Sequence, residues 1–149
     1  MKDGRIIFPS GAEYSILVLP NWETMTPDIL KKIKELVIGG ATVVGMPPKK
    51  SPSLQNYPQC DNEIKALVKD IWGEGEMPIT VGKRMVGKGQ IIWGQDLIKN
   101  QDNLYPDYDC TASILSDMNI PEDFTSNGAL RYTHRTVAEY DIYFVSNRS

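Results

Sequence analysis

Few residues in this sequence have types and spacing suited to chemistry. The only histidine, His134, sits beside Arg135 in "RYTHRTV", and the only thiols are Cys60 and Cys110. A Cys–His dyad would place its nucleophile on a tight strand-to-helix elbow flanked by small residues. Cys60 lies in "YPQCDN" and Cys110 in "YDCTAS", with no glycine around either, so structural thiols are the plainer reading. Two cysteines are too few for a disulfide framework, and their spacing fits no zinc pattern. A single histidine among scattered carboxylates gives no metal motif. "DNLYPDYD" (102–109) is acidic enough to raise calcium, but it reads better as a solvated loop.

"GKRMVGKG" (82–89) follows most of the phosphate-loop pattern and departs from it where the chemistry matters. Gly89 replaces the hydroxyl that would hold Mg²⁺, and the β-rich "QIIWG" follows instead of a helix N-terminus. A glycine hairpin turn is expected there. Glu13, Glu23, Glu63, Glu122 and Asp123 are available as acids, but no spacing sets two of them across one cleft. The most site-like stretches are "SPSLQNYP" and "THR". The first offers Ser51, Ser53, Gln55, Asn56 and Tyr57, a set suited to hydrogen-bonding and stacking on a polar ligand. The second offers the donors His134 and Arg135, although strand alternation lets only one of them face a given side. "NRS" (147–149) fits an N-glycosylation sequon, a weak signal at a chain end.

The elements that must position these residues are legible in part. "YSILVLP" (14–20) reads as a buried strand closed by Pro20. "TPDILKKIKELVIGG" then reads as a helix, with Thr26 as cap, Pro27 at the first position and Asp28 at the positive end of the dipole. Its stripe is Ile29, Leu30, Ile33, Leu36 and Val37, and Gly39-Gly40 can end it with a positive φ. "ATVVG" (41–45) follows as a second strand, so strand, helix and strand fit a βαβ unit of about 30 residues. "MPPKKSPSLQNYP" (46–58) holds four prolines and must be a loop, placed at the carboxyl end of a strand where α/β sheets bind ligands. Cys60 or Asp61 opens the next helix, with Ile64, Leu67, Val68 and Ile71 inward and Gly73 and Gly75 at its end. Two strands around Gly87-Lys88-Gly89 come next, then a helical turn or two in 96–101. A third helix is expected in 106–120, with Ile114, Leu115 and Met118 inward, and a hairpin near 130–135 and 141–146. The expected class is α/β: a three-layer, mainly parallel sheet flanked by helices, with antiparallel hairpin additions.

With 149 residues, 41% apolar and 23% charged, the chain fits one globular α/β domain over 1–149. A formal net charge of −3 with dispersed basic residues argues against nucleic acid as a partner. No apolar run reaches the roughly 18 residues needed to cross a bilayer, so no membrane partner is expected. "MKDGRIIFPSG" lacks the apolar core of a signal peptide.

In order along the chain, "YSILVLP…MTPDILKKIKELVIGGATVVGMPPKKSPSLQNYP", "GKGQIIWG" and "THRTVAEYDIYFVSN" resemble the α-L-rhamnosidases of glycoside hydrolase family 106, over nearly the whole chain. The resemblance implies a fragment of a large, multidomain, secreted or periplasmic bacterial enzyme. It also implies a catalytic (β/α)₈ barrel elsewhere in the parent, with the acid, the base and the calcium of that site. The present segment resembles the α/β domain that follows the barrel, of class I glutamine-amidotransferase or flavodoxin-like type. The amidotransferase nucleophile elbow is missing, so that activity is not implied. Neither a catalytic residue nor a cofactor of this segment follows from the resemblance. The implied role is a non-catalytic accessory domain that braces the barrel, hands the chain on to a β-sandwich and helps shape the pocket for a rhamnose-containing glycan. Ser51, Ser53, Tyr57, His134 and Arg135 are the rim candidates.

Two other readings are carried. A stand-alone carbohydrate-binding module would use aromatics such as Tyr57 and Tyr105, since core packing explains Trp72 and Trp93. A small flavodoxin-like enzyme would need a phosphate cradle after the first strand, where "PNWETMTP" offers Glu23 and no glycine.

Overall fold

The computed structural model describes residues 1–99, 104–128 and 130–147. The chain forms two compact units, Met1–Ala112 and Ser113–Ser149. In the first, a small antiparallel pair joins β1 (Ile6–Ile7) to β2 (Glu13–Tyr14). The main sheet contains β3 (Ile16–Val18), β4 (Thr42–Val44), β5 (Gly82–Val86) and β6 (Gly89–Trp93) in the order β3-β4-β6-β5. The first three of these run parallel, and β5 is added antiparallel to β6. The expected α/β class with a parallel core and a hairpin addition is therefore observed. The parallel strands follow chain order, without the reversal that defines a flavodoxin-like switch point.

Helix α1 (Pro27–Ile38) starts as its sequence dictates, with the Thr26 side chain accepting from the Ile29 amide at 3.4 Å. Gly40, at φ +118°, supplies the left-handed turn after it, and Gly39 remains helical. Leu30, Ile33 and Val37 are buried and Leu36 is half-buried, but Ile29 is exposed, so the apolar stripe is narrower than expected. Helix α2 (Gln59–Trp72) buries Ile64, Leu67, Ile71 and Trp72. It begins before Cys60 and Asp61, because Asp61 turns back to the preceding loop instead of capping the helix.

One apolar cluster joins both helices to Val43 and Ile91, with Leu17 packed against it. These three are register partners across β3, β4 and β6, so a single row of the pleat meets α1 and α2. Each fully buried aliphatic side chain contributes about 1.5–3 kcal/mol. Val44 and Ile92 of the alternate row are also buried, as parallel strands require.

The β5–β6 hairpin turns through Gly87 and Lys88, with Gly87 at φ +63°. The phosphate-loop-like stretch is this hairpin. A short 3-10 helix, Gln95–Ile98, follows, while Asn100 and Gln101 of the expected helical turn lie outside the described residues. Helix α3 (Tyr108–Asp117) buries Ile114 and leaves Leu115 and Met118 half-buried.

The second unit is dominated by the hairpin of β7 (Leu130–Val137) and β8 (Tyr140–Asn147), paired in register from Leu130–Asn147 to Val137–Tyr140. It is longer than the sequence suggests, and most of its side chains are exposed.

Candidate functional site

In the first unit, the loop after β4 meets the start of α1 at the carboxyl edge of the parallel strands. A cavity of about 500 Å³ opens there, lined by Thr26 at the cap of α1, by Asp28 and Lys31 on α1 and by Ser51, Ser53 and Gln55 on the loop. Pro27, Asn56, Gln59, Cys60 and Glu63 complete the wall. The loop keeps its shape through its own side chains. Ser51 Oγ accepts from the Ser53 amide at 3.3 Å, and Ser53 Oγ accepts from the Gln55 amide at 3.0 Å. The Ser51 amide donates to Asp61 Oδ1 at 2.8 Å, which ties the loop to the first turn of α2. The buried Cys60 thiol lies 3.7 Å from the Ser53 carbonyl, a structural contact. Across the floor, Lys31 Nζ stands 2.6 Å from Glu63, whose hydrogen bond raises the lysine's pKa. The hydroxyls and amides are thus presented on a pre-shaped wall, suited to hydrogen-bonding a polyhydroxylated ligand. Ser51 and Ser53 both line this cavity. Tyr57 is not in the lining and is 61% exposed.

A second cavity, about 340 Å³, lies along the same edge, lined by Asn21, Trp22, Glu23, Met46, Lys49 and Met77, with Pro47 and Ile98. Trp22 is 60% exposed. Glu23 is paired with Lys49, whose hydrogen bond and charge hold the carboxyl below its ordinary range.

His134 and Arg135 lie in the second unit, and the strand register puts them on opposite faces of the hairpin. His134 shares a face with Tyr132 and Thr136 on β7 and with Tyr143 and Asp141 on β8. Its Nδ1 is 2.9 Å from Asp123 Oδ2 and its Nε2 is 3.0 Å from Asp141 Oδ1. Only the imidazolium can donate to both carboxylates, and the Asp141 hydrogen bond raises the histidine's pKa accordingly. Thr136 Oγ1 donates to Asp141 Oδ1 at 2.8 Å, and Tyr143 Oη donates to Asp123 Oδ1 at 3.0 Å. Phe124, Tyr132 and Tyr143 pack beside this network, with Phe124 and Tyr132 centroids 4.9 Å apart. His134 is thus committed to internal partners, whereas Arg135 is exposed on the other face, opposite Ile142.

Burial pushes the Cys110 thiol up, away from the reactive thiolate, and its Sγ lies 3.4 Å from the Asp96 carbonyl. Asp107 caps α3, accepting from the Cys110 amide at 3.1 Å. Asp102 and Asn103 of the acidic stretch, and Arg148 and Ser149 of the sequon, lie outside the described residues. Among the described residues, no group of three or more His, Cys, Asp or Glu side chains could hold a metal ion. No described helix is long and apolar enough to cross a membrane.

Residues 1–149 match the family model for the α-L-rhamnosidases of glycoside hydrolase family 106. The chain belongs to that family. A relative from Formosa agariphila (strain DSM 15362 / KCTC 12365 / LMG 23005 / KMM 3901 / M-2Alg 35-1), named "Putative beta-glucuronidase", is 35% identical over 147 residues. That match spans 99% of this chain and 10% of the relative. The solved structure of a rhamnosidase from Novosphingobium sp. PP1Y aligns with a TM-score of 0.71 at 29% identity, covering 99% of this chain and 13% of that one. The chain is therefore a fragment of a larger family 106 protein, as the sequence pattern implies.

The residue that sequence reasoning missed in this family 106 segment is Trp22. It sits in "PNWETMTP", a stretch with no helical or strand period. The usable signal was its position, two residues after the Pro20 that follows β3, at the edge where the cavities open.

Proposed function

We propose that this chain is a non-catalytic accessory domain of a family 106 glycoside hydrolase. In this reading it braces the catalytic barrel, leads into a β-sandwich and lends the 46–58 loop and Arg135 to the rim of the sugar pocket. One observation carries the non-catalytic reading. Four of the five carboxyls that the sequence offers as acids are held in ion pairs: Glu13 with Arg5, Glu23 with Lys49, Glu63 with Lys31 and Asp123 with His134. A glycosidase acid must be held up, so that it is protonated when the leaving group departs. These side chains are set to remain anions and to hold structure. The flavodoxin-like, three-layer assignment belongs to the same proposal; the parallel strands joined by helices support it, and the unreversed strand order and the packing of both helices on one row of the sheet weigh against it.

The test uses the intact parent enzyme. Replacing Arg135 by Ala should lower kcat/KM for aryl α-L-rhamnosides while circular dichroism stays unchanged. Replacing His134 by Gln should act mainly on hairpin stability, since both ring nitrogens face internal carboxylates. Unchanged kinetics in Arg135→Ala would remove the rim role.

A further inference from the structure

We propose that the Trp22 cavity is a secondary, non-catalytic binding subsite for a neutral sugar residue of the glycan. The inference is independent of the rim role given above to Arg135 and the 46–58 loop. A pyranose is amphipathic: its C–H face is apolar and its hydroxyls project around the ring edge. A site for it needs an accessible aromatic face, flanking planar polar groups and walls that do not move. The cavity has each of these.

Trp22 is 60% exposed and lines a volume of about 340 Å³, which falls within the range of small-ligand pockets, about 300–1,000 Å³. The Asn21 amide and the Glu23–Lys49 pair line the cavity beside it. The walls are rigid because the loops after β3 and β4 are sewn together by backbone hydrogen bonds. The Lys49 amide donates to the Glu23 carbonyl at 2.7 Å, and the Met25 amide to the Lys50 carbonyl at 3.1 Å. The Trp22 amide donates to the Pro20 carbonyl at 2.8 Å, and the Asn21 amide to the Leu104 carbonyl at 2.7 Å. Little ordering entropy therefore remains to be lost on binding.

The lining also selects among sugars. Met46, Pro47, Met77 and Ile98 form an apolar wall that can receive the methyl group of a 6-deoxyhexose. Glu23 remains ionised, and the Lys49 charge is already committed to it. A uronate carboxylate would meet the Glu23 anion, with Lys49 already paired to it and with the remaining nearby charge, Lys50, outside the lining, so the cavity favours a rhamnose-type sugar over a glucuronate.

The experiment reads the indole N–H signals of the ¹⁵N-labelled chain, which has three tryptophans, each assigned by a Trp→Phe variant. Methyl α-L-rhamnopyranoside should shift the Trp22 signal saturably in the millimolar range, while Trp72, bonded to the Gly45 carbonyl, stays in place. Sodium D-glucuronate at matched concentration should leave Trp22 unmoved. Trp22→Ala should abolish sugar binding with the Trp72 signal intact, which shows that the fold survives. A Trp22 signal indifferent to rhamnoside, or equal response to both sugars, overturns the proposal. Protection of Trp22 from oxidative footprinting in the sugar-free intact enzyme overturns it too, by showing that other parts of the parent chain cover this surface.

Discussion

The His134 ring lies flat on Tyr143, with centroids 4.3 Å apart and planes 5° from parallel, while its two nitrogens face Asp123 and Asp141. The ring is fixed by stacking and the charge by hydrogen bonds, so this residue acts as a clasp that ties the 123 segment to the hairpin. The raised histidine pKa sets the sign of the pH dependence. The stabilisation is fully present below the ordinary histidine value of 6.5 and is lost as pH rises through the folded value. At the acid end, Asp141 is depressed, so its share is present above 3.8 and is lost as pH falls through its folded value. As the chain has one histidine, its ring protons give an unambiguous NMR titration. The midpoint should lie above 6.5, and Asp141→Asn and Asp123→Asn should each lower it. A midpoint at or below the ordinary value would contradict the clasp.

The Asp61 carboxylate is expected to control the shape of the first cavity through the Ser51 amide. Hydrogen bonds to charged groups contribute about 1.5–3 kcal/mol. Replacing Asp61 by Ala should therefore speed hydrogen exchange at Ser51 about tenfold or more, with α2 itself retained. Asp61→Asn keeps an acceptor oxygen and should show a smaller effect. Equal exchange in all three proteins would mean that the loop is held by its serines alone.

The fold was legible wherever local chemistry and tertiary demand agree. Thr26, Pro27, Asp28 and the Gly39-Gly40 pair frame α1 from both ends, and Gly87 sets the hairpin turn. The misses come from long-range competition. Asp61 looks like a helix cap but is claimed by a loop amide ten positions earlier. Ile29 belongs to the stripe by spacing, yet lies beyond the arc that the sheet covers. The site followed the same rule. That His134 and Arg135 face apart follows from strand alternation alone. The pairing of His134 with Asp141 requires the register of an eight-residue hairpin, and its pairing with Asp123 requires a loop that no periodicity describes. Trp22 carried no local pattern, because its significance comes from two loops that meet only once the sheet has formed.

Trp72 links the end of α2 to the loop after β4, its Nε1 donating to the Gly45 carbonyl at 3.1 Å in a buried setting. Trp72→Phe keeps most of the buried ring but orphans that carbonyl, at a cost of about 1–3 kcal/mol. Trp72→Ala also empties the ring's volume and should cost about 3–5 kcal/mol. Urea unfolding of the three proteins separates the two contributions. A neutral Trp72→Phe would show that the hydrogen bond adds nothing beyond packing.

Gly89 marks the closest approach of the β6 start to the end of α1. A Cβ there would lie 2.3 Å from the Ala41 carbonyl oxygen and 2.4 Å from that of Val37. Both obstacles are backbone, fixed by the helix end and by the strand that follows it, so no side-chain rotation relieves the clash. The Gln90 amide donates to the same Ala41 carbonyl at 3.1 Å, so moving β6 away would break the first contact of its register with the helix end. Gly89→Ala should therefore destabilise the first unit by at least about 2 kcal/mol and lower the urea midpoint without changing the slope. Gly128→Ala is the control: its added methyl would meet only Ser126 Oγ at 3.8 Å, and it should be neutral within about 0.5 kcal/mol. Equal behaviour of the two variants would show that β6 can shift at no cost. The tight seat of this strand against α1, which sets the carboxyl edge where both cavities open, would then not hold.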